Sequence, residues 1–315
     1  MHRSTADTIF LTLEFQRTWW QCLGEGELLI LAIRDDAELV GIIPLFATIN
    51  PQGQRALATV GCVEVADYLD FIVAQGREDA VYAALVDYLT SPDAPAWDLL
   101  DLCNIHQDSP TLNILPALAK ARGWTVSTAR DDVCPIVQLP GTWEEYLEML
   151  EGKQRREIRR KLRRAGGETA QNWTIVGPEH DLETKVSEFL DLMAASTPDK
   201  ADFLTPRMRY FFHQLARVVY DAGWLQLVFL KIGERRAAAY FNFIYNNRVM
   251  VYNSGLDWQT FPKLGAGIIL TAHCIRHAIE NDRCEAFDFM QGDERYKYQF
   301  GGRDVEVRRL TIHKV

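Results

Sequence analysis

The sequence lacks a long apolar run and a metal-binding cluster, and each absence excludes a class of protein. No stretch of the 315 residues approaches the roughly 20 apolar residues that cross a membrane. No C-x-x-C pair occurs, and no histidine cluster has the spacing of a metal site, so we predict no metal. We interpret the six scattered cysteines as buried reduced thiols, which indicates a reducing compartment; they are Cys22, Cys62, Cys103, Cys134, Cys274 and Cys284.

The chain also lacks a signal-peptide core and an excess of positive charge. Arg3, Asp7 and Glu14 interrupt the short apolar pieces near the start. A net charge of −9 gives no general attraction to nucleic acid. We therefore expect a cytoplasmic protein without a membrane span. Its length and 48% hydrophobic content allow two domains or one large one.

The sequence contains a weak internal repeat, because the pattern of each half predicts the order hairpin, strand, helix, strand. The predicted elements are 28–46, 68–73, 78–89 and 97–102 in the first half, and 225–245, 249–252, 268–281 and 285–290 in the second. This pattern predicts an α/β fold with mixed sheets. We place the division between an N-terminal half, residues 1–134, and a C-terminal half, residues 135–315.

The most informative stretch runs from Val249 to Gly301. Its order of strand, glycine-containing turn, helix, strand and polar turn predicts a βαβ crossover with parallel strands. The glycines of Gly265-Ala266-Gly267 let backbone approach a ligand, and the free N–H groups of the following helix favour an anion. We therefore predict a phosphate-bearing cofactor here. The comparable region of the first half, Val65-Ala66-Asp67, has no glycine pair, so that half is expected to lack a cofactor site.

A basic segment opens the second half. Thr142 and Glu145 have the spacing of a capping box, and one helix is predicted over residues 143–165. It carries eight cations: Lys153, Arg155, Arg156, Arg159, Arg160, Lys161, Arg163 and Arg164. Two interpretations stay open. The cations form a solvated face on an acidic chain, or they bind an anionic partner such as a CoA phosphate, a tRNA backbone or a polyanionic acceptor.

Several motifs, taken in order, resemble one family of transferases. They are 155–163, Gly223-Trp224-Leu225, Ser254-Gly255-Leu256-Asp257, Gly265-Ala266-Gly267, Phe287-Asp288-Phe289, Gly292-Asp293-Glu294, Tyr296-Lys297 and Phe300-Gly301. The chain resembles the GNAT-fold acyltransferases of the CelD-like (cellulose biosynthesis-type acetyltransferase) family, relatives of the FemAB peptidyltransferases. The resemblance implies two tandem GNAT-like (acyl-CoA N-acyltransferase) halves. It also implies transfer of an acyl group, usually acetyl from acetyl-CoA, to an amine, whereas the FemAB relatives use aminoacyl-tRNA.

Combined with the chemistry of a thioester and an amine, the resemblance assigns roles to named residues. The donor's pantetheine arm is expected on the backbone of Tyr252, Asn253, Ser254 and Gly255, and its pyrophosphate on Lys263, Leu264, Gly265, Ala266 and Gly267. The family has Arg or Gln three residues before the first glycine, whereas Pro262 stands here, so Lys263 is expected to supply the charge. Catalytic candidates are Glu294 or Asp293 as proton acceptor, Tyr296 or Tyr298 as proton donor, Asp257 as a second carboxylate, and Lys297 as an acceptor-binding cation.

Each assignment has a structural alternative. Asp293, Glu294 and Lys297 also fit an ion-pair network that orders the last turn, and the tyrosines also fit a core position with a tethered hydroxyl. The function predicted first is an acyl-CoA-dependent N-acyltransferase acting on a small-molecule amine or a polysaccharide or peptide precursor, its first half helping to form the acceptor cleft. The alternatives are a FemAB-like aminoacyl-tRNA-dependent transferase on a cell-wall precursor, and a non-catalytic GNAT-like scaffold in polysaccharide biosynthesis.

Overall fold

The computed structural model describes residues 4–62, 65–165, 171–260 and 265–314. Two predicted cofactor-binding residues, Lys263 and Leu264, lie outside these ranges. The chain divides into two compact units: Met1–Val133 with Val305–Val315, and Cys134–Asp304.

Strands and helices alternate along the chain. The strands are β1 (Glu27–Asp35), β2 (Glu38–Ile49), β3 (Arg55–Thr59), β4 (Ile72–Val73), β5 (Leu99–His106), β6 (Thr125–Gln138), β7 (Gln171–Ile175), β8 (Leu225–Ile232), β9 (Arg235–Tyr245), β10 (Arg248–Leu256), β11 (Ala286–Asp288) and β12 (Arg303–His313). The helices are α1 (Leu13–Leu23), α2 (Glu78–Thr90), α3 (Thr111–Ala121), α4 (Trp143–Met149), α5 (Gly152–Ala165), α6 (Leu182–Ala194), α7 (Pro198–Phe203), α8 (Pro206–Asp221), α9 (Ala266–Glu280) and α10 (Arg295–Gln299), with a short 3-10 turn at Ile9–Leu11.

The first unit is built on the strand order β1-β2-β3-β5-β12, with β4 paired to β2. The predicted hairpin is confirmed as the antiparallel pair β1 and β2, and β3 runs parallel to β5. The predicted strand 68–73 is wrong for its first four residues. The buried carboxylate of Asp70 accepts hydrogen bonds from Phe71 N and from the hydroxyls of Ser109 and Thr111, which holds this backbone in a loop.

The expectation of six reduced thiols is wrong for two of them. Cys62 and Cys103 form a disulfide with a Cα–Cα distance of 6.0 Å. The fold brings them together because β3 and β5 are parallel and both cysteines lie just beyond the paired residues Ala58 and Asp101. The free cysteines, Cys22, Cys134, Cys274 and Cys284, are all buried.

The second unit has the strand order β6-β11-β10-β9-β8-β7. The predicted crossover is confirmed, because β10 and β11 are parallel neighbours and α9 connects them. Helix α9 packs on the sheet through Ile269, Leu270 and Ile275, which share a buried cluster with Val249 and Phe287. Both units therefore repeat the order of hairpin, strand, helix and parallel strand, and the fold class is a mixed α/β fold.

Three predictions for the second unit need correction. The helix predicted over 143–165 is two helices, because Leu150 is extended (ψ 149°) between α4 and α5, although the capping box of Thr142 and Glu145 is present. The turn predicted after Tyr252 is strand, since β10 continues to Leu256 in pairing with β9. The short helices α7 and α10 stand where no helix was predicted.

In the part of the chain that the structure describes, no helix combines the length and the apolar character needed to span a bilayer.

Candidate active site

The N-terminus of α9 presents backbone donors that have no acceptor within their own helix. Gly265, at the N-cap position, has a left-handed conformation (φ 70°) and offers no side chain to cap the helix. The first intrahelical bond here runs from Ile269 N to Gly265 O, at 3.1 Å. The N–H groups of Ala266, Gly267 and Ile268 precede it and have no intrahelical acceptor. An α-helix of 15 residues adds its dipole to these donors, so this end suits an anion.

Lys161, which the sequence analysis treated only as one of the cations of the basic segment, lies at the N-terminus of α9. The Nζ atom of Lys161, on α5, contacts Gly265 so closely that a Cβ atom at Gly265 would overlap it. Its side chain is only 12% exposed, and it pairs with Glu157, with Nζ and Oε1 3.6 Å apart. A cation against the positive end of a helix is unfavourable unless an anion bridges them. Lys161 therefore places a cation at this helix end, whereas Lys263, the cation expected from the sequence, lies outside the described residues.

The two parallel strands of the crossover separate beside this helix end. The pairing of β10 with β11 covers Arg248 to Met250, whereas its pairing with β9 continues to Leu256 after a bulge between Val251 and Asn253. Gly267 faces the side chain of Leu256, where an added Cβ would lie 3.3 Å from a Leu256 methyl carbon. The helix end and the open edge of β10 are therefore neighbours.

The predicted pantetheine residues differ in how they use their backbone. Asp257 N donates to Ala237 O, and the antiparallel alternation then directs the peptide groups of Gly255 and Asn253 toward β9. Those of Ser254 and Leu256 point to the open edge. Gly255 has a packing role as well, because a Cβ there would lie 2.8 Å from Met193 N of α6. The Tyr252 ring, 4.7 Å from that of Phe243, is part of an aromatic cluster.

Two side chains from the segment after α6 lie along this open edge, and the sequence analysis overlooked both. The Lys200 ammonium donates to Ser254 O at 2.5 Å and to Ser254 Oγ at 3.0 Å. Ser196 Oγ accepts from Leu256 N at 2.7 Å. Burial lowers the pKa of Lys200 to about 8, and the negative charge of Glu294 opposes that shift. A sequence signal was present, because Thr197 followed by Pro198 is typical of a helix start.

The turn after β11 carries the predicted carboxylates and is held by Lys297. The Lys297 ammonium is buried and donates to the carbonyl oxygens of Met290, Gln291 and Gly292 at 3.0, 2.6 and 3.0 Å. It also pairs with Glu294, with Nζ and Oε2 2.8 Å apart. These contacts match the ion-pair network given as the structural alternative, with Glu294 as the partner of Lys297.

The remaining catalytic candidates lie at different depths. The Glu294 side chain is 59% exposed, and Asp293 is exposed as well. Burial raises the pKa of Tyr296 well above the ordinary phenol value, and the nearby Tyr240 and Glu294 raise it further. A phenol with a raised pKa is a weaker proton donor. Asp257 is bound locally, because its Oδ1 accepts from Thr260 N at 2.9 Å.

The fold thus brings together, within the second unit, a helix end that suits an anion, an open strand edge and a carboxylate. Glu294 acts electrostatically on both Lys200 and Tyr240, and the Tyr240 hydroxyl shares a 2.7 Å hydrogen bond with Thr271 of α9. Among the described residues, no group of three or more metal-ligating side chains is found. His273 and His277 instead pack on Trp173, with ring centroids 5.4 and 5.3 Å away.

An uncapped helix end beside diverging parallel strands is the arrangement of a GNAT-fold domain. Residues 152–298 match a family model described as an acetyltransferase (GNAT) domain. No curated protein matches the sequence significantly.

Solved structures resemble the whole chain in fold. FemX matches with a TM-score of 0.70 at 10% identity, over 98% of this chain and 92% of that one. L-PGS from Bacillus licheniformis matches with a TM-score of 0.58 at 11% identity, over 95% and 91%. The C-terminal domain of a proposed lysylphosphatidylglycerol synthetase from Agrobacterium fabrum matches with a TM-score of 0.56 at 11% identity, over 96% and 89%. At these identities the likeness shows the fold.

Proposed function

We propose that the chain is an acyl-CoA-dependent N-acyltransferase, with acetyl-CoA as the donor and an amine as the acceptor. The observation that carries the proposal is the position of the α9 N-terminus beside Leu256, at the end of β10 that β11 does not cover. A donor whose phosphates bind at Gly265 and Lys161 extends its arm along this edge toward Ser254 and Glu294. The motifs of the basic segment and the last turn support a CelD-like enzyme.

The proposed chemistry is direct attack of the amine on the thioester. Glu294 accepts the amine proton, because its carboxylate is 59% exposed and is fixed at one oxygen by Lys297. Helix-end amides and Lys161 hold the donor phosphates, which orients the thioester for attack. The other catalytic candidates have lesser roles in this proposal. Asp293 is exposed beside Glu294, and Tyr296 is a weakened acid because its pKa is raised. Asp257 accepts a hydrogen bond within its own turn.

Acetyl-CoA binding tests the phosphate site. We expect Gly265→Ala to weaken binding about tenfold, or about 1.4 kcal/mol, because the new Cβ displaces Lys161 and strains a backbone at φ 70°. Isothermal titration calorimetry with acetyl-CoA measures the Kd. If the unaltered protein shows no binding at millimolar acetyl-CoA, the proposed function is wrong.

A second glycine provides the matched control. Gly223 has nearly the same conformation (φ 75°), but an added Cβ would meet nothing within 4 Å. Gly223→Ala therefore brings the same backbone strain without touching the site, and we expect its Kd for acetyl-CoA to equal that of the unaltered protein. Equal losses in the two variants would show that strain, and not the phosphate site, is responsible.

The exposed face of α5 favours one second candidate, a FemAB-like transferase that uses aminoacyl-tRNA on a cell-wall precursor. Lys153, Arg156, Arg159, Arg160 and Arg163 are exposed on this helix, while Ile158 is buried and Leu162 packs beneath. Glu144 and Glu157 pair with Arg159 and Arg160, and they leave a large positive excess. A donor with many phosphates fits such a face.

tRNA binding at several salt concentrations separates the two candidates. If tRNA is the donor, changing Arg155, Arg156, Arg159 and Arg160 to glutamine lowers the slope of log K against log salt by about 3, at roughly 0.7 to 0.9 per phosphate contact. Changing Arg207 and Arg217 of α8 to glutamine is the control for charge alone. Salt-insensitive or absent tRNA binding would exclude this candidate. A non-catalytic scaffold, the third alternative, predicts no thioester turnover.

A further inference from the structure

The Lys200 side chain occupies an unusual place for a lysine. Helix α7, which carries it, has only six residues, yet the ammonium is directed inward to the open edge of β10. Two of its three N–H groups are used by Ser254 O and Ser254 Oγ. An exposed position for a long cationic side chain costs less than this one, because burial removes water from the charge. Such an arrangement is typical of a functional site.

The position of Lys200 along β10 relates it to the proposed donor. Leu256 lies beside the phosphate-binding end of α9, and Ser254 is two residues further toward the paired part of β10, about 7 Å along a strand. Glu294 approaches from the turn after β11, close enough for its charge to act on Lys200. The Lys200 ammonium therefore lies on this segment of the open edge, and the Glu294 carboxylate is electrostatically coupled to it.

The pKa of Lys200 is set by burial and by one nearby charged group. Ser254 of β10 and Ser196, next to α6, are neutral, and Glu294 is the charged group that acts on Lys200. The same carboxylate is paired with Lys297 of α10. Burial lowers the Lys200 pKa to about 8, near the ordinary thiol value of about 8.5. Tyr296, one of the two phenols expected for this role beside Tyr298, has a raised pKa and is the poorer acid.

We propose that Lys200 is the general acid of the transfer, donating a proton to the sulfur that leaves the thioester. This inference rests on the proposed function. The acceptor nitrogen forms a bond to the carbonyl carbon, and the carbon–sulfur bond breaks with its electron pair on sulfur. Sulfur takes a proton from the Lys200 ammonium, and the nitrogen loses one to the Glu294 carboxylate. Proton transfer from Glu294 to the neutral Lys200 amine, directly or through water, restores both groups.

The test compares Lys200→Met and Lys200→Arg in thiol release from acetyl-CoA, with a panel of primary amines as acceptors. In the unaltered protein we expect the rate to fall as the pH rises through about 8, because the ammonium form is the active one. Lys200→Met is expected to lower the rate about 100-fold and to abolish this alkaline fall, with the Kd for acetyl-CoA within threefold. Lys200→Arg keeps the charge but does not titrate in this range, so the alkaline fall is lost there too.

Lys185→Met is the matched control, because Lys185 on α6 is partly buried and pairs with Glu188 at 2.9 Å, away from the open edge. It should keep both rate and pH profile. An alkaline fall that persists unchanged in Lys200→Arg overturns the role of Lys200, even if Lys200→Met does not fold. If the unaltered protein binds acetyl-CoA and turns it over while the Lys200 variants match it, the Lys200 role alone is wrong. If the unaltered protein does not bind acetyl-CoA, the proposed function is wrong and the role of Lys200 goes with it.

Discussion

Replacing Glu294 by glutamine is expected to lower acetyl transfer from acetyl-CoA by about 100- to 10,000-fold, the range for loss of a positioned base. Glutamine keeps an oxygen that accepts from Lys297, so the turn should keep its shape. The Kd for acetyl-CoA should stay within threefold, since the phosphates bind at the other end of the open edge. Steady-state rates with a panel of amines, together with calorimetric Kd values, measure the two effects separately.

The pH profile of Glu294→Gln gives a second readout. The charge of Glu294 raises the Lys200 pKa against the effect of burial, so its removal lowers that pKa. The alkaline fall in rate should then move to a lower pH. Asp293→Asn decides between the two adjacent carboxylates, and we expect it to cost less than tenfold. A larger loss from Asp293→Asn than from Glu294→Gln would assign the base to Asp293.

The crossover could be predicted from the sequence because its signals are local. Two apolar runs flank a segment of helical period, and Gly265 stands where the helix begins, so β10, α9 and β11 follow from residues near one another in the chain. The capping box of Thr142 and Glu145 is equally local. The end of β10 could not be predicted, because Asn253, Ser254 and Gly255 look like a turn and become strand only through pairing with β9.

The contents of the site could be predicted only in part, because its cations come from distant segments. Lys161 reaches Gly265 from more than 100 positions earlier in the chain through the packing of α5 on α9, and one polar face of a basic helix gives no sign of which lysine turns inward. Lys200 is brought to Ser254 by the short helix α7, whose six residues are too few for a periodic pattern. The contacts of Lys297 likewise depend on the conformation of the turn after β11, in which Met290 and Gly292 have positive φ, and the sequence does not show that conformation.

Replacing Lys297 by methionine distinguishes a structural from a catalytic role of this lysine. We expect the replacement to be strongly destabilising. Methionine has a similar length but no donor, so the carbonyl oxygens of Met290, Gln291 and Gly292 lose their shared ammonium. Each buried acceptor left unsatisfied costs about 1 to 3 kcal/mol, and loss of the pair with the 59% exposed Glu294 adds no more than about 1 kcal/mol. We expect a loss of roughly 4 kcal/mol, which lowers Tm by about 10 °C in a unit of this size.

Thermal unfolding measures this loss, and Arg295→Met is the control because it removes an exposed cation from the same helix. The control should change Tm by no more than about 1 °C. If Lys297→Met unfolds at the temperature of the unaltered protein but has lost acetyl transfer, then the ammonium acts on the substrate and its three carbonyl contacts are secondary. In the expected result, Lys297→Met lowers both Tm and transfer, whereas Glu294→Gln lowers transfer alone. That result assigns Lys297 to the fold of the turn, in which its ammonium is buried with 2% of the residue exposed, and assigns the proton transfer to Glu294.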